Sequence, residues 1–234
     1  MSELRRVTAA LALVVAAAST AQAQNYGVPM FTNPNFGSGV RIHVDAGRPS
    51  KNLNSVSLTT VQGGVTFAIG PVGIGAFAAG NFNDIKGCTS GGAISCSNTY
   101  FSGAAQMQLR IMGGGRNPLA LSLFGGAGTD VSSYEVAANV NAPHLLSIPV
   151  GGAIGFKAGP LHLWGAPRYN LYKWISCGST GCPDASKGVF RYAVGVNLPV
   201  GPLGIRAAYD GGKLFGETIG FFGVGVSLGL GSQQ

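Results

Sequence analysis

From Tyr100 to Ile111 the chain alternates strictly. Phe101, Ala105, Met107, Leu109 and Ile111 share one parity; Ser102, Gln106, Gln108 and Arg110 share the other. A period of two is a β-strand with two chemically different faces. A soluble sheet turns the apolar face inward and the polar face to water. This chain is poorly equipped to do so: 10% of its residues are charged, against roughly 25% in an ordinary soluble domain. Its mean hydropathy is +0.29. The 39 glycines and 12 prolines oppose long helices.

The one long apolar run is at the start. In MSELRRVTAALALVVAAASTAQAQ, Arg5 and Arg6 precede an apolar stretch from Val7 to Ala18, and Ala21-Gln22-Ala23 is a small-x-small cleavage site. These features predict a secretory signal peptide over 1–23, with an uncleaved anchor as the alternative. Downstream, nothing approaches the roughly 20 consecutive apolar residues of a helical span. An apolar chain of alternating strands is accommodated by a closed barrel turned inside out, in which every backbone group pairs with a neighbouring strand.

Ten alternating segments follow an extended leader over 24–36, QNYGVPMFTNPNF, expected on the short-turn side. They lie near 38–46, 60–70, 72–82, 100–111, 119–128, 146–157, 161–172, 189–199, 203–210 and 219–230. Val56 and Leu58 are out of phase with the second, which predicts a bulge or loop boundary near Thr60. The third, VGIGAFAAGNF, is too uniform to give a facing. Tight turns are expected at Gly70-Pro71, Asn117-Pro118, Gly159-Pro160 and Gly201-Pro202, whose prolines are 47, 42 and 42 residues apart. Long polar connections are expected near 47–58, 83–98, 129–145, 173–188 and 211–218. Two long strands, one tight turn and one long loop per repeat describe an up-and-down antiparallel meander with its short turns at one end. The fold class is therefore an all-β transmembrane barrel over 37–231, of ten strands with eight as the alternative, and a tail at 232–234.

In this arrangement Arg41, His43, Asp45, Gln106, Gln108, Arg110, Lys157, His162, Arg168, Arg191, Asn197, Arg206 and Asp210 face the interior. Six of these are cations and two are anions. No charged or His side chain falls on an outward position of these segments. The outward aromatics Phe101, Tyr169, Phe190, Tyr192, Tyr209 and Phe222 lie near the long-loop ends, as an interfacial girdle would. A basic lining admits two readings: a narrow pore favouring anions, or a filled interior in which Asp45 and Asp210 pair with arginines.

The four cysteines form two local pairs in Gly/Ser-rich loops. In an exported chain they are expected as Cys88–Cys96 and Cys177–Cys182 disulfides, with the other pairings and a shared zinc site as alternatives. Without the signal segment, 13 basic and 7 acidic residues give a net charge of +6. There is no basic run or RNA-binding signature to suggest nucleic acid. GIGAFAAG and GFFGVG lie in strands with no helix following, so no phosphate loop and no cofactor are expected. His43, His144 and His162 have no serine and acid at nucleophile spacing, and Asp84, Asp130 and Glu135 on the loop side have no close His in the sequence pattern. A lipid-modifying hydrolase is the minor alternative. Another is a soluble exported barrel or sandwich that binds an apolar ligand.

Signal peptide, alternating strands, Gly-Pro turns and the amphipathic last strand GFFGVGVSLGL together resemble the small outer-membrane β-barrel proteins of Gram-negative bacteria. That resemblance implies an outer-membrane location, short periplasmic turns and external loops carrying the cysteine pairs. It also implies contact with outer-membrane lipids, insertion by the barrel-assembly machinery, and a loop ligand of unspecified identity. Members of the class usually end on an aromatic residue, whereas this chain ends GLGSQQ.

Overall fold

A computed structural model describes residues 28–50, 56–85, 97–114, 117–131, 135–137, 140–141, 144–176, 187–214 and 217–230. The expected signal segment 1–23, both cysteine pairs and the tail 232–234 lie outside the described residues. The strands are β1 (Gly39–Pro49), β2 (Val56–Ile69), β3 (Val72–Ile85), β4 (Ser97–Gly114), β5 (Asn117–Asp130), β6 (Glu135–Ala137), β7 (Val140–Asn141), β8 (His144–Ala158), β9 (Leu161–Ser176), β10 (Lys187–Val200), β11 (Leu203–Leu214) and β12 (Glu217–Leu230). Among the described residues β6 and β7 pair only with each other, in the connection between β5 and β8. The other ten form one antiparallel sheet in which β1 pairs with both β2 and β12, closing the barrel. Ten strands, not eight, is the observed number.

Three hairpins at one end share a local cause. Ile69 pairs with Val72, Ala158 with Leu161 and Val200 with Leu203, leaving two-residue loops of Gly then Pro. The glycines take φ of 57°, 61° and 60°, a left-handed conformation that costs other residues roughly 1–2 kcal/mol. Proline has no N–H to leave unpaired there. The fourth hairpin differs from expectation. Asn117-Pro118 opens β5, and the turn lies upstream of it, between paired Gly114 and Asn117. Register shifts after Arg110 and Met112 absorb the extra residues of β4.

At the other end the strands run further than their alternation suggests. The expected connection over 47–58 narrows to six residues between Pro49 and Val56, and no bulge forms near Thr60: β2 pairs with β3 in unbroken register. Leu58 is buried, because the interior at this height accepts apolar side chains as well as polar ones. The expected connection over 211–218 shrinks to two residues, since Leu214 pairs with Glu217. β3 acquires definite faces, with Ile74 and Phe82 exposed and Ala79 and Asn81 buried.

The outer surface is a continuous apolar band. It includes Ile42, Val44, Val65, Leu109, Leu123, Val150, Ile154, Leu163, Val194, Ile205, Val224 and Val226, all exposed. Towards the loop end it carries Phe101, Tyr169, Phe190, Tyr192 and Phe222, with Tyr209 half-exposed between Tyr192 and Phe222. The extension of β1 places Arg48 opposite Phe222 at this aromatic level. The outer face of the strands is therefore not free of charge, but this cation sits at the edge of the band.

Candidate functional site: the barrel lumen

The lumen is occupied by the chain's own N-terminal segment. Residues 28–38 form no strand and bend at Val28, Pro34 and Ser38, and they do not lie outside the barrel as a leader. Val28, Met30, Thr32 and Asn35 are buried. The backbone N–H of Met30 donates to Asp210 Oδ2 at 3.3 Å. Gln108 Nε2 donates to the Thr32 carbonyl at 3.4 Å, and Arg110 donates to the Phe36 carbonyl at 2.7 Å. Arg206 lies 4.3 Å above the Phe31 ring, and Arg110 lies 4.9 Å above that of Phe36.

Glycines on the inner wall make room for this segment. A Cβ on Gly223 would lie 2.4 Å from Pro29, and one on Gly155 would lie 2.7 Å from Pro34. These contacts fix a direction. Residues 28–30 lie beside Gly223 and Asp210, toward the long-loop end, and Phe36 reaches Arg110 and Gly73 by the short turns before the chain enters β1. The segment carried no strand period in the sequence. Its only signal was the pairing of prolines with bulky apolar residues in a stretch otherwise lacking a partner.

Two ion-pair clusters fill the wall side. Arg168 and Arg191 are directly opposed on β9 and β10, an arrangement that repels unless neutralised. Asp210 lies between their guanidinium groups, accepting from Arg168 at 2.5 Å and Arg191 at 2.8 Å. Arg168 Nε also donates to Asn170 at 2.9 Å, and Asn170 reaches Ser147 and the Tyr172 hydroxyl. In the second cluster Arg206 grips Asp45 through two bonds of 2.7 and 2.5 Å, with Gln62 donating a third at 3.2 Å. Apolar side chains complete the filling: Phe124 and Trp164 pack with Met30, and Tyr172, Ile219 and Phe221 pack with Leu145.

The histidines are dispersed. His43 is buried, its Nε2 2.7 Å from Thr66 Oγ1. His144 Nδ1 meets the Asp130 carbonyl at 2.8 Å at the loop end. His162 pairs in register with Lys157 beside the short turn, on the side where Arg41 also lies. Gln106 and Arg110 are half-buried, and Gln108 is buried against Ser122. Among the described residues there is no group of three or more His, Cys, Asp or Glu side chains able to hold a metal.

No protein-family model and no curated protein matches the sequence. Among solved structures, the chain is similar to the translocator domain of the autotransporter NalP from Neisseria meningitidis (12% identity, TM-score 0.45), covering 83% of this chain and 90% of that one. It is also similar to Neisserial surface protein A (15%, TM-score 0.40), over 82% and 98% of the two chains. A third match is the Yersinia pestis outer membrane protein Ail (11%, TM-score 0.40), over 83% and 100%. At these identities and scores the likeness carries no argument about activity. What the chain's own geometry establishes is a closed ten-stranded antiparallel barrel, apolar outside, with residues 28–36 and two ion-pair clusters inside it.

Proposed function

We propose that the protein is a sealed β-barrel of the bacterial outer membrane, with a structural or interaction role exercised through its external loops. The outward band supports the membrane setting: a surface this rich in exposed Val, Ile, Leu and Phe needs an apolar surrounding, and a closed barrel leaves no backbone edge to satisfy in lipid. The single observation that carries the sealed reading is the threading of residues 28–38 through a lumen already crossed by the Asp210 and Asp45 ion pairs. A narrow anion pore needs a water path along the cationic lining, and the Arg110 and Arg206 side chains are instead stacked on plug phenylalanines. A lipid hydrolase needs a nucleophile beside its histidine, and His43 meets a threonine deep in the lumen.

Short turns face the periplasm and the longer connections face outward, the usual arrangement for such barrels. Disulfides Cys88–Cys96 and Cys177–Cys182 would then stiffen two external loops, each contributing roughly 2–3 kcal/mol by loop closure. Outer-membrane lipids, the assembly machinery and an external loop ligand are the partners of this reading. The test is reconstitution into vesicles loaded with a small anionic dye. Insertion without dye release supports a sealed barrel, and release from wild-type protein refutes it.

A further inference from the structure

We propose that a groove on the outer wall of the barrel, ending at Arg48, holds an acylated lipid with an anionic phosphate headgroup. The groove measures about 780 Å³ and crosses β9–β12 and β1 within the apolar band. The proposal deepens the membrane reading above and rests on it, but not on whether the lumen is sealed.

The strand register explains why a convex wall is hollow here. Ala46, Val224, Ala207 and Val196 are successive lateral partners across β1, β12, β11 and β10. Two of these outward positions therefore carry only a methyl group. The next outward row toward the loops reads Arg48, Phe222, Tyr209. The tyrosine rings in this region lean toward the loop end, away from the alanines. A Cβ on Gly220 would lie 2.3 Å from the Tyr209 hydroxyl, and one on Gly211 would lie 3.0 Å from the Tyr192 hydroxyl. Tyr209 and Phe222, with ring centroids 4.8 Å apart, form the upper wall and leave the floor open.

Charge complementarity selects the occupant. Arg48 and Thr59 are exposed at the edge of the groove. Arg48 makes no hydrogen bond or ion pair among the described residues. Among those residues, the charged side chains exposed on the outer face of these five strands are Arg48, Lys173 and Lys213, all cations. Asp84 stands two strands from β1, on β3. An apolar trough ending on a free cation matches a molecule with an apolar chain and an anionic head. The aromatic girdle marks the headgroup level of a membrane, so Arg48 stands at the height of the lipid phosphates. Its planar guanidinium suits two oxygens of one phosphate. A second copy of this chain fits less well, because it would bring more cations to the same face.

The experiment is native mass spectrometry of the refolded full chain in detergent micelles, titrated separately with dimyristoyl phosphatidic acid and dimyristoyl phosphatidylcholine. Wild type is expected to retain the phosphatidic acid about fivefold more tightly, the advantage given by one cation near a membrane surface. Arg48→Gln should abolish that preference, and Arg48→Lys should keep part of it. Ala207→Leu fills the floor without altering a charge and should weaken retention of both lipids. Arg48 is exposed and Ala207 faces outward, so both variants are expected to fold. Equal retention of the two lipids by wild type, a preference that survives Arg48→Gln, or a lipid-free dimer would each overturn the proposal. If that protein still inserts into vesicles, the membrane reading stands; failure to insert overturns both.

Discussion

Arg206 on β11 and Asp45 on β1 meet across an intervening strand, joined by bonds of 2.7 and 2.5 Å over the bare backbone of Gly225. Both residues are register partners of Gly225 on β12. A Cβ at that glycine would lie 1.9 Å from Asp45 Oδ1. The ion pair therefore exists because one position between its members has no side chain. Gly225→Val is expected to separate the pair and leave two buried charges, lowering stability by about 3–5 kcal/mol. Urea unfolding of the barrel in vesicles measures this, and an unchanged midpoint would mean that the pair contributes nothing.

The Asp210 cluster makes a sharper electrostatic prediction. Asp210→Asn removes the carboxylate that lies between the opposed, buried Arg168 and Arg191, with an expected loss of about 3–5 kcal/mol. Adding Arg191→Met should recover part of it, because removing both members of a buried pair is milder than stranding one. A double variant no more stable than Asp210→Asn would contradict the assignment.

Gly155 tests the seating of the plug without touching a charge. Gly155→Leu places side-chain atoms where Pro34 now packs. The barrel hydrogen bonds are unaffected, so the expected result is a folded barrel whose segment 28–36 becomes accessible to protease or to a thiol reagent at an engineered cysteine. Continued protection would show that the segment has another seat.

The outer band predicts a position-dependent cost. Val226→Arg, in the exposed apolar row, is expected to lose about 2–4 kcal/mol in bilayers. In detergent the penalty should shrink, because the mobile amphiphile solvates the cation. Equal losses in both media would argue against a lipid-facing role for this row.

Much of the barrel was legible because its two faces differ chemically. Strands such as 100–111 and 189–199 declare their parity through Arg110 and Arg191 set against Leu109 and Tyr192. Leu58 misled because an inward apolar residue looks out of phase wherever the lumen is itself apolar. The true turn after β4 was hidden by two register shifts, which depend on pairing between strands and not on local residue type. The plug was least legible. Its burial comes from the fit of prolines against glycines more than a hundred residues away, and irregular chain without strand pairing has no periodic signature. The interior arginines could be listed, but not their partners: Asp45 and Asp210 become neighbours of particular arginines only once the barrel register is set.

The sealed lumen is tested most directly by single-channel recording in a planar bilayer, comparing wild type with a variant lacking residues 28–36. The wild-type barrel should insert silently. The shortened chain should give discrete steps, with a reversal potential favouring anions because Arg41, Arg110 and Lys157 then line an open path. Steady steps of similar size from both proteins would contradict a plug, and silence from both would show that the ion-pair clusters close the lumen without it.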